Sequence, residues 1–300
     1  MQRSDQSAGS PDSESSCGNL TGVADDDYTV ITYEVEEPVA VITLNRPEQL
    51  NAWVPAMDVE IRDAVTRAAE DPAVVGVVIT GAGRGFCAGA DMTALASIGD
   101  GGSGAGGGAL ADRDKESVGD FDGRLTFLMD VPKPVIAAVN GPVAGMAIPF
   151  VLACDIRIVS PDAMFVTSFS QRGLIAEWGI GWLLPRLIGP AAALDLLWTS
   201  RRVGGDEAVR LGLANYLVAA DELMSFSRKY VEDLAAKCSP TSIAVMKRQV
   251  YEHYHRGLGD SEREAQQLML DSFQRPDFKE GVQSFMQKRP PSFARVPERS

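Results

Sequence analysis

Short β-branched runs, each closed off by Gly, Pro, Asn or Asp, constrain this chain more than any other feature. Ala40 to Leu44 (AVITL), Val74 to Thr80 (VVGVVIT), Val135 to Val139 (VIAAV), Ile156 to Val159 (IRIV) and Met164 to Thr167 read as strands. Between the first two, Met57, Ile61 and Val65 recur every four residues behind Pro55, which suits the first turn of a helix. Strand, helix, strand is the local order. After about residue 178 the pattern turns helical, as in Leu223, Phe226, Tyr230 and Leu234 behind a candidate N-cap at Asp221. The expected class is α/β, with a strand-rich core, a helical C-terminal region and no internal sequence repeat.

Composition limits what this core can serve. A chain of 300 residues that is 45% hydrophobic and 23% charged can bury a sizeable core, as one large domain or two small ones, which excludes collagen, coiled coil and wholesale disorder. Residues 1–27 are rich in Ser, Gly and Asp and too poor in bulky apolar side chains to offset their ordering entropy, so they read as a disordered tail. Residues 28–200 then form the core, and residues 201–300 the helical region, assigned to oligomerisation or to a lid. Asp100 to Gly108 (DGGSGAGGG) is a Gly-rich loop, either a lid or a neutral insertion.

No window approaches the roughly 18 uncharged apolar residues of a membrane span, and the N-terminus lacks the apolar segment of a signal peptide. The expectation is a soluble cytoplasmic protein with no membrane partner. The 41 acidic side chains against 28 basic ones leave a net charge of −13, which opposes broad tracking of a phosphate backbone, so no nucleic-acid partner is expected. A few Arg or Lys in one cleft can still hold a small anionic ligand. Cys17, Cys87, Cys154 and Cys238 form no CxxC pair, and reduced thiols are expected.

Two histidines, His253 and His255, are the only ones in the chain, and no GxSxG elbow accompanies them. They read as surface or packed residues of a late helix. No metal site is expected. Gly81-Ala82-Gly83-Arg84-Gly85 follows a strand, but the third glycine of a dinucleotide-binding motif would fall on Phe86 and its acid in the Gly-rich loop. NAD or FAD binding is rejected on that spacing.

The same stretch read onward is more specific. Gly85-Phe86-Cys87-Ala88-Gly89-Ala90-Asp91-Met92, with Ile42 to Asn51 (ITLNRPEQLN) before it and Val139-Asn140-Gly141-Pro142-Val143-Ala144-Gly145 after it, closely resembles the crotonase, or enoyl-CoA hydratase/isomerase, family. The resemblance runs from about Tyr33 to Phe293, through Ala153-Cys154-Asp155, Leu183 to Gly189 (LLPRLIG), Asp206-Glu207-Ala208 and Phe285 to Arg289 (FMQKR). It implies the crotonase (ClpP-like) fold, a spiral of β-β-α turns with a helical C-terminal region, assembled as a homotrimer or dimer of trimers. It also implies an acyl-CoA substrate, with coenzyme A entering as part of the thioester and no other cofactor.

In the family pattern two backbone N–H groups hold the thioester oxygen as it becomes an enolate, and they match Ala90 and Met146 here. Gly89 permits close backbone approach, and the chain from Gly145 reads as a helix start, whose free N–H groups favour developing negative charge. Met146 replaces the usual glycine, and a core methionine is the competing reading of its side chain. Coenzyme A is expected against Cys87, Ala88 and Ala90, with Phe285 and Lys288 near the adenine and its phosphate; a solvated helix face is the other reading of Lys288.

Acid and base positions depart from the hydratase pattern. The two hydratase glutamates fall on Pro149 and Phe169, neither of which titrates. Glu177 instead matches the carboxylate of the family's double-bond isomerases, with Trp178 and Phe169 expected to surround it and raise its pKa; a solvated loop or helix-start acid is the competing reading. The leading expectation is isomerisation of an enoyl-CoA through an enolate. A hydratase or hydrolase activating water through Glu177 alone and a non-catalytic acyl-CoA-binding protein are the alternatives.

Overall fold

A computed structural model describes residues 28–91 and 121–295 of the chain. The 1–27 tail, with Cys17, and the Asp100–Gly108 loop lie outside the described residues. Six strands form the main sheet: β1 (Ile31–Glu36), β2 (Val39–Leu44), β3 (Gly76–Gly81), β4 (Val135–Val139), β6 (Ile156–Val159) and β9 (Tyr216–Leu217), in that spatial order. All neighbours run parallel except β1, which pairs antiparallel with β2. A second, smaller sheet joins β5 (Pro142–Ala144), β7 (Met164–Val166) and β8 (Val203–Gly204). From β4 onward the chain crosses between the sheets: β4 and β6 of the main sheet are each followed directly by a strand of the second, β5 and β7.

Both faces of the main sheet are covered, as a parallel sheet requires. Ala40, Ile42, Leu44, Val77, Ile79, Ala137 and Val139 point into the larger core with α1 (Pro55–Glu70), whose Met57, Ile61, Ala64 and Val65 are buried. Their neighbours in sequence, Val39, Val41, Val78, Ile136 and Ala138, face α6 (Leu223–Lys237) on the other side. The period-two alternation that reads as strand is thus divided between two apolar layers. The larger core also takes in α2 (Ala147–Leu152), α3 (Ile180–Ile188) and α4 (Pro190–Thr199); α5 (Gly205–Leu211) links β8 to β9. The sheets draw on residues up to Leu217, beyond the boundary at 200 expected from sequence.

Some boundaries differ for local reasons. Pairing of β3 begins with Val39 opposite Gly76, so Val74 and Val75 precede the strand, and the Val75 amide donates to the Pro38 carbonyl. Glu222, already in the right-handed region with its amide on the Ala219 carbonyl, caps α6 without a side-chain hydrogen bond, so Asp221 is not the cap. The buried stripe of α6 is Leu223, Ser227 and Val231; Phe226 and Tyr230 instead pack on Tyr216 of β9, at centroid distances of 5.5 and 6.1 Å.

Three further helices close the chain: α7 (Pro240–His253), α8 (Leu258–Phe273) and α9 (Pro276–Gln287). α7 is fixed to the sheet through Asp155, the residue before β6. Lys247 Nζ lies 2.7 Å from Asp155 Oδ2, the Tyr251 hydroxyl donates to Oδ1 at 2.8 Å, and the Val135 amide donates to Oδ2 at 2.7 Å. Lys247 also donates to the carbonyls of Leu128 and Lys133, so every charge at this joint is satisfied. Asp155 is a structural acid. Lys247→Met would leave that carboxylate half-compensated in a largely buried site, and about 3 kcal/mol of stability should be lost in chemical denaturation. An unchanged denaturation midpoint would show that α7 is not held by this pair.

Candidate functional site

The second sheet continues beyond β5 through two isolated rungs. Val143 of β5 pairs with Cys87, and Ala90 pairs with Trp53, both in parallel sense. Residues 87–90 therefore lie between Trp53 and β5. The Trp53 amide donates to the Gly89 carbonyl at 2.7 Å, and the Asp91 amide donates back to the Trp53 carbonyl at 3.1 Å. In this pattern the residue between the two bonded ones directs its own amide to the opposite side. That residue is Ala90, and its amide donates to no backbone carbonyl among the described residues.

The opposite side is the Ala144–Gly145 backbone. A side-chain carbon on Gly89 would lie 2.7 Å from the Ala144 carbonyl oxygen and 3.7 Å from Gly145 Cα, and Gly89 has φ +90°. Only glycine meets both conditions. Gly145, at φ +51°, then turns the chain so that Met146 becomes the first residue with helical dihedrals, capping α2. Its amide also has no backbone acceptor among the described residues, as expected one position before a helix. The Met146 side chain is 7% exposed and belongs to the larger core, so the core-methionine reading holds for the side chain and leaves the amide free.

Two asparagines hold the preceding loop. Buried Asn51 donates from Nδ2 to the carbonyls of Ala82 and Gly85, and Asn140 donates to those of Gly81 and Gly83. A side-chain carbon on Gly81 would sit 2.4 Å from the Gly85 carbonyl oxygen, and one on Gly141 would sit 2.2 Å from that of Arg84. The glycines of residues 81–85 thus serve a tight backbone fold.

Glu177 stands at the start of a tight turn. Its carbonyl accepts from the Ile180 amide at 3.0 Å, and the two central residues, Trp178 at φ +53° and Gly179 at φ +79°, are both left-handed, as in a type I′ turn. For a bulky residue such as Trp178 that conformation costs about 1–2 kcal/mol, so the surroundings must hold it. The Glu177 side chain is half-buried; desolvation lifts its carboxyl above the ordinary value, and a hydrogen bond with the Trp178 side chain pulls it back. Pro149 is buried inside α2 and Phe169 is 4% exposed in the core, so neither position offers a proton-transfer group.

Beside the turn lies a cavity of about 430 Å³, with Phe121, Arg124, Met129, Trp178, Trp182 and His255 in its wall. His255 stacks on Trp182 at 5.2 Å with the rings 13° apart, whereas His253 faces Glu264 Oε2 at 3.0 Å on the surface. The aromatic wall had no single motif to announce it, because its members come from three distant segments. Among the described residues no group of three His, Cys, Asp or Glu could hold a metal ion.

The residues expected to hold coenzyme A are not all brought together. The Cys87 amide donates to the Pro142 carbonyl and the Ala88 amide to that of Leu50, and among the described residues the Ala88 and Ala90 carbonyls accept no backbone hydrogen bond. Burial pushes the Cys87 thiol up to about 12 and keeps it inside the core. Phe285 is 85% exposed on α9 and Lys288 is exposed at its C-cap; neither lines the cavity.

Residues 34–296 match the family model described as enoyl-CoA hydratase/isomerase. The chain belongs to that family. A probable enoyl-CoA hydratase of Rhodobacter capsulatus is 35% identical over 89% of this chain and 98% of its own length. The 1,2-epoxyphenylacetyl-CoA isomerase of Escherichia coli is 32% identical over 88% of this chain and 97% of its own. The crystal structure of an enoyl-CoA hydratase from Polaromonas sp. superposes with a TM-score of 0.80 at 28% identity, covering 88% of this chain and 99% of the other. The crotonase fold expected from the motifs is thus the fold of the chain, with its helical C-terminal region.

In this member of the enoyl-CoA hydratase/isomerase family, Gly89 is the residue on which the packing of residues 87–90 against Ala144 turns. Gly89→Ala should cost about 1–3 kcal/mol through backbone strain, read as a lower Tm, because the rung must move off Ala144. A variant as stable as the parent would show that residues 89 and 144 are not packed as described.

Proposed function

We propose that the protein shifts the double bond of an enoyl-CoA, taking a 3-enoyl thioester to its 2-enoyl isomer, with Glu177 as the only proton-transfer group. The observation that carries this reading is the pairing of one half-buried carboxylate, which begins a strained turn whose Trp178 and Gly179 line the cavity, with apolar side chains at Pro149 and Phe169. Adding water across a double bond by the two-carboxylate route needs a second titratable group, whereas an allylic proton shift needs one.

In this mechanism Glu177 removes a proton from C2 of the thioester. The electron pair moves into the carbonyl, and the resulting dienolate oxygen is met by the amides of Ala90 and Met146. The protonated Glu177 returns the same proton to C4, the double bond settles between C2 and C3, and the carbonyl reforms. No atom is gained or lost. A backbone donor aimed at developing negative charge is worth about 3 kcal/mol of barrier. Because desolvation raises the Glu177 carboxyl, the rate should fall on the acid side at a pH above that of an ordinary carboxylate. The Ala88 carbonyl, which accepts no backbone hydrogen bond among the described residues, is suited to accept from the adenine of coenzyme A, and no further cofactor is required. The free thiols of Cys87, Cys154 and Cys238 fit a reducing cytoplasmic compartment.

The C-terminal helices support an assembly, a homotrimer or dimer of trimers. Leu258, Leu270, Phe273, Phe285 and Met286 stand exposed along α8 and α9, at 84, 53, 42, 85 and 75%. A second copy covering this face would also give Phe285 and Lys288 a neighbour's site to approach. Light scattering should report a trimer or hexamer, and a monomer would contradict the assembly.

Ultraviolet absorbance of the conjugated product tests the chemistry. A 3-enoyl-CoA should give a rise that Glu177→Gln lowers by about 100-fold or more. Undiminished turnover in that variant would overturn the reading. Binding of acyl-CoA without any turnover would instead favour a non-catalytic binding protein.

A further inference from the structure

The two halves of the proposed site, the Ala90 rung and the Glu177 turn, stand 87 positions apart in sequence, yet one buried ion pair joins them. Trp53 brackets Ala90 with its backbone, and its indole Nε1 donates to Asp58 Oδ1 at 3.2 Å. Its ring also meets Phe150 of α2, the helix that follows Met146, at 5.0 Å between centroids. Asp58, in the first turn of α1, receives Arg124 in a two-pronged bond, Nε to Oδ1 at 2.6 Å and Nη2 to Oδ2 at 2.5 Å. Both side chains are only 10% exposed. The Arg124 guanidinium in turn lies 4.7 Å from the centre of the Trp178 ring.

We propose that the Asp58–Arg124 pair is a positioning strut, which presses on Trp178 to hold its left-handed turn and so sets Glu177 against the thioester bound at Ala90 and Met146. Stability alone does not account for such a pair, since a buried ion pair is often replaceable by packed apolar residues without loss. What apolar residues cannot supply is a flat, fixed-orientation cation that bonds a carboxylate at its edge and stacks on an indole with its face. Lysine supplies neither the two-pronged edge nor the flat face. Trp178 is the residue whose backbone is strained, and it directly follows Glu177. Asp58 and Arg124 touch no reacting atom in this scheme; they act through Trp53 and Trp178.

Among the described residues, other charged or titratable groups near the turn are Arg172, before it, Arg186 of α3, Tyr254, which packs on Trp182, and His255 beyond α7. Arg172 is engaged with the Ser168 carbonyl, Arg186 with the Trp182 carbonyl and ring, and His255 with Trp182. None of them is among the causes of the Glu177 shift, which is governed by burial and by Trp178. Loosening Trp178 should therefore admit water to Glu177 and return it toward an ordinary carboxylate.

The inference rests on the isomerase reading, and its test separates the two. Asp58→Asn, Arg124→Lys and the double variant Asp58→Leu with Arg124→Leu are compared with the parent for Tm, kcat, KM and the pH dependence of kcat. The Glu177 carboxyl is titrated in parallel by carbon NMR, its signal assigned by loss in Glu177→Gln. The strut predicts a fall in kcat of about 10- to 100-fold with KM within about twofold, since a misplacement of about 1 Å suffices for such a loss. The acid limb and the carboxyl titration should both move to lower pH, and the double variant should recover Tm without recovering kcat. Parental kcat and parental Glu177 titration in all three variants, with only Tm altered, would overturn the proposal. If Glu177→Gln keeps full turnover, the isomerase reading fails, and the carboxyl titration still decides whether the pair governs the environment of Glu177.

Discussion

A backbone-to-backbone contact underlies the site: Gly89 lying against the Ala144 carbonyl, at a distance no side-chain carbon could share. Three features follow from it. The rung of residues 87–90 can stand as a strand between Trp53 and β5, the Ala90 amide is turned away from Trp53, and the Gly145 turn delivers Met146 to the start of α2 beside it. The second sheet carries β5, whose end makes this approach, while the six-stranded sheet contributes much of the larger apolar core. Using main-chain donors frees the neighbouring side chains for other work, which is why Met146 can fill the core without removing the donor.

Polar groups do the positioning around that contact. Asn51 and Asn140 clamp the glycine loop from two directions, and Asp155 with Lys247 and Tyr251 ties the C-terminal helices to the sheet. Each is fully partnered, as a buried polar group must be if it is not to cost more than it contributes. Burial also acts on the half-buried Glu177, whose carboxyl desolvation lifts above the ordinary carboxylate value.

Much of the fold was legible because strand signals are local. The runs Val135–Val139 and Ile156–Val159 are strands to the residue, since β-branched side chains and their Gly, Pro or Asp borders specify both content and ends. Asp221 misleads because a cap needs a non-helical backbone as well as an acceptor side chain, and the helix is entered through Glu222. The Ala90 and Met146 amides were singled out only through motif resemblance; no side-chain pattern advertises an N–H without a backbone acceptor. The Asp58–Arg124 pair and the aromatic wall of Phe121, Trp178 and Trp182 were not legible at all, since their members are distant in sequence and each is an ordinary residue in its own window. Phe285 and Lys288 mark the opposite case, residues with a motif that stand exposed and do not line the cavity.

In the proposed mechanism one carboxylate carries a proton from C2 to C4 of the same thioester, with no water consumed. That claim is tested most directly by turning over a 3-enoyl-CoA deuterated at C2 in oxygen-18 water and weighing the 2-enoyl product and any hydroxyacyl product. Deuterium retained at C4 with no heavy oxygen in the acyl chain is the predicted result. Heavy oxygen at C3, with the C2 label not transferred to C4, would contradict it and assign Glu177 to the activation of water.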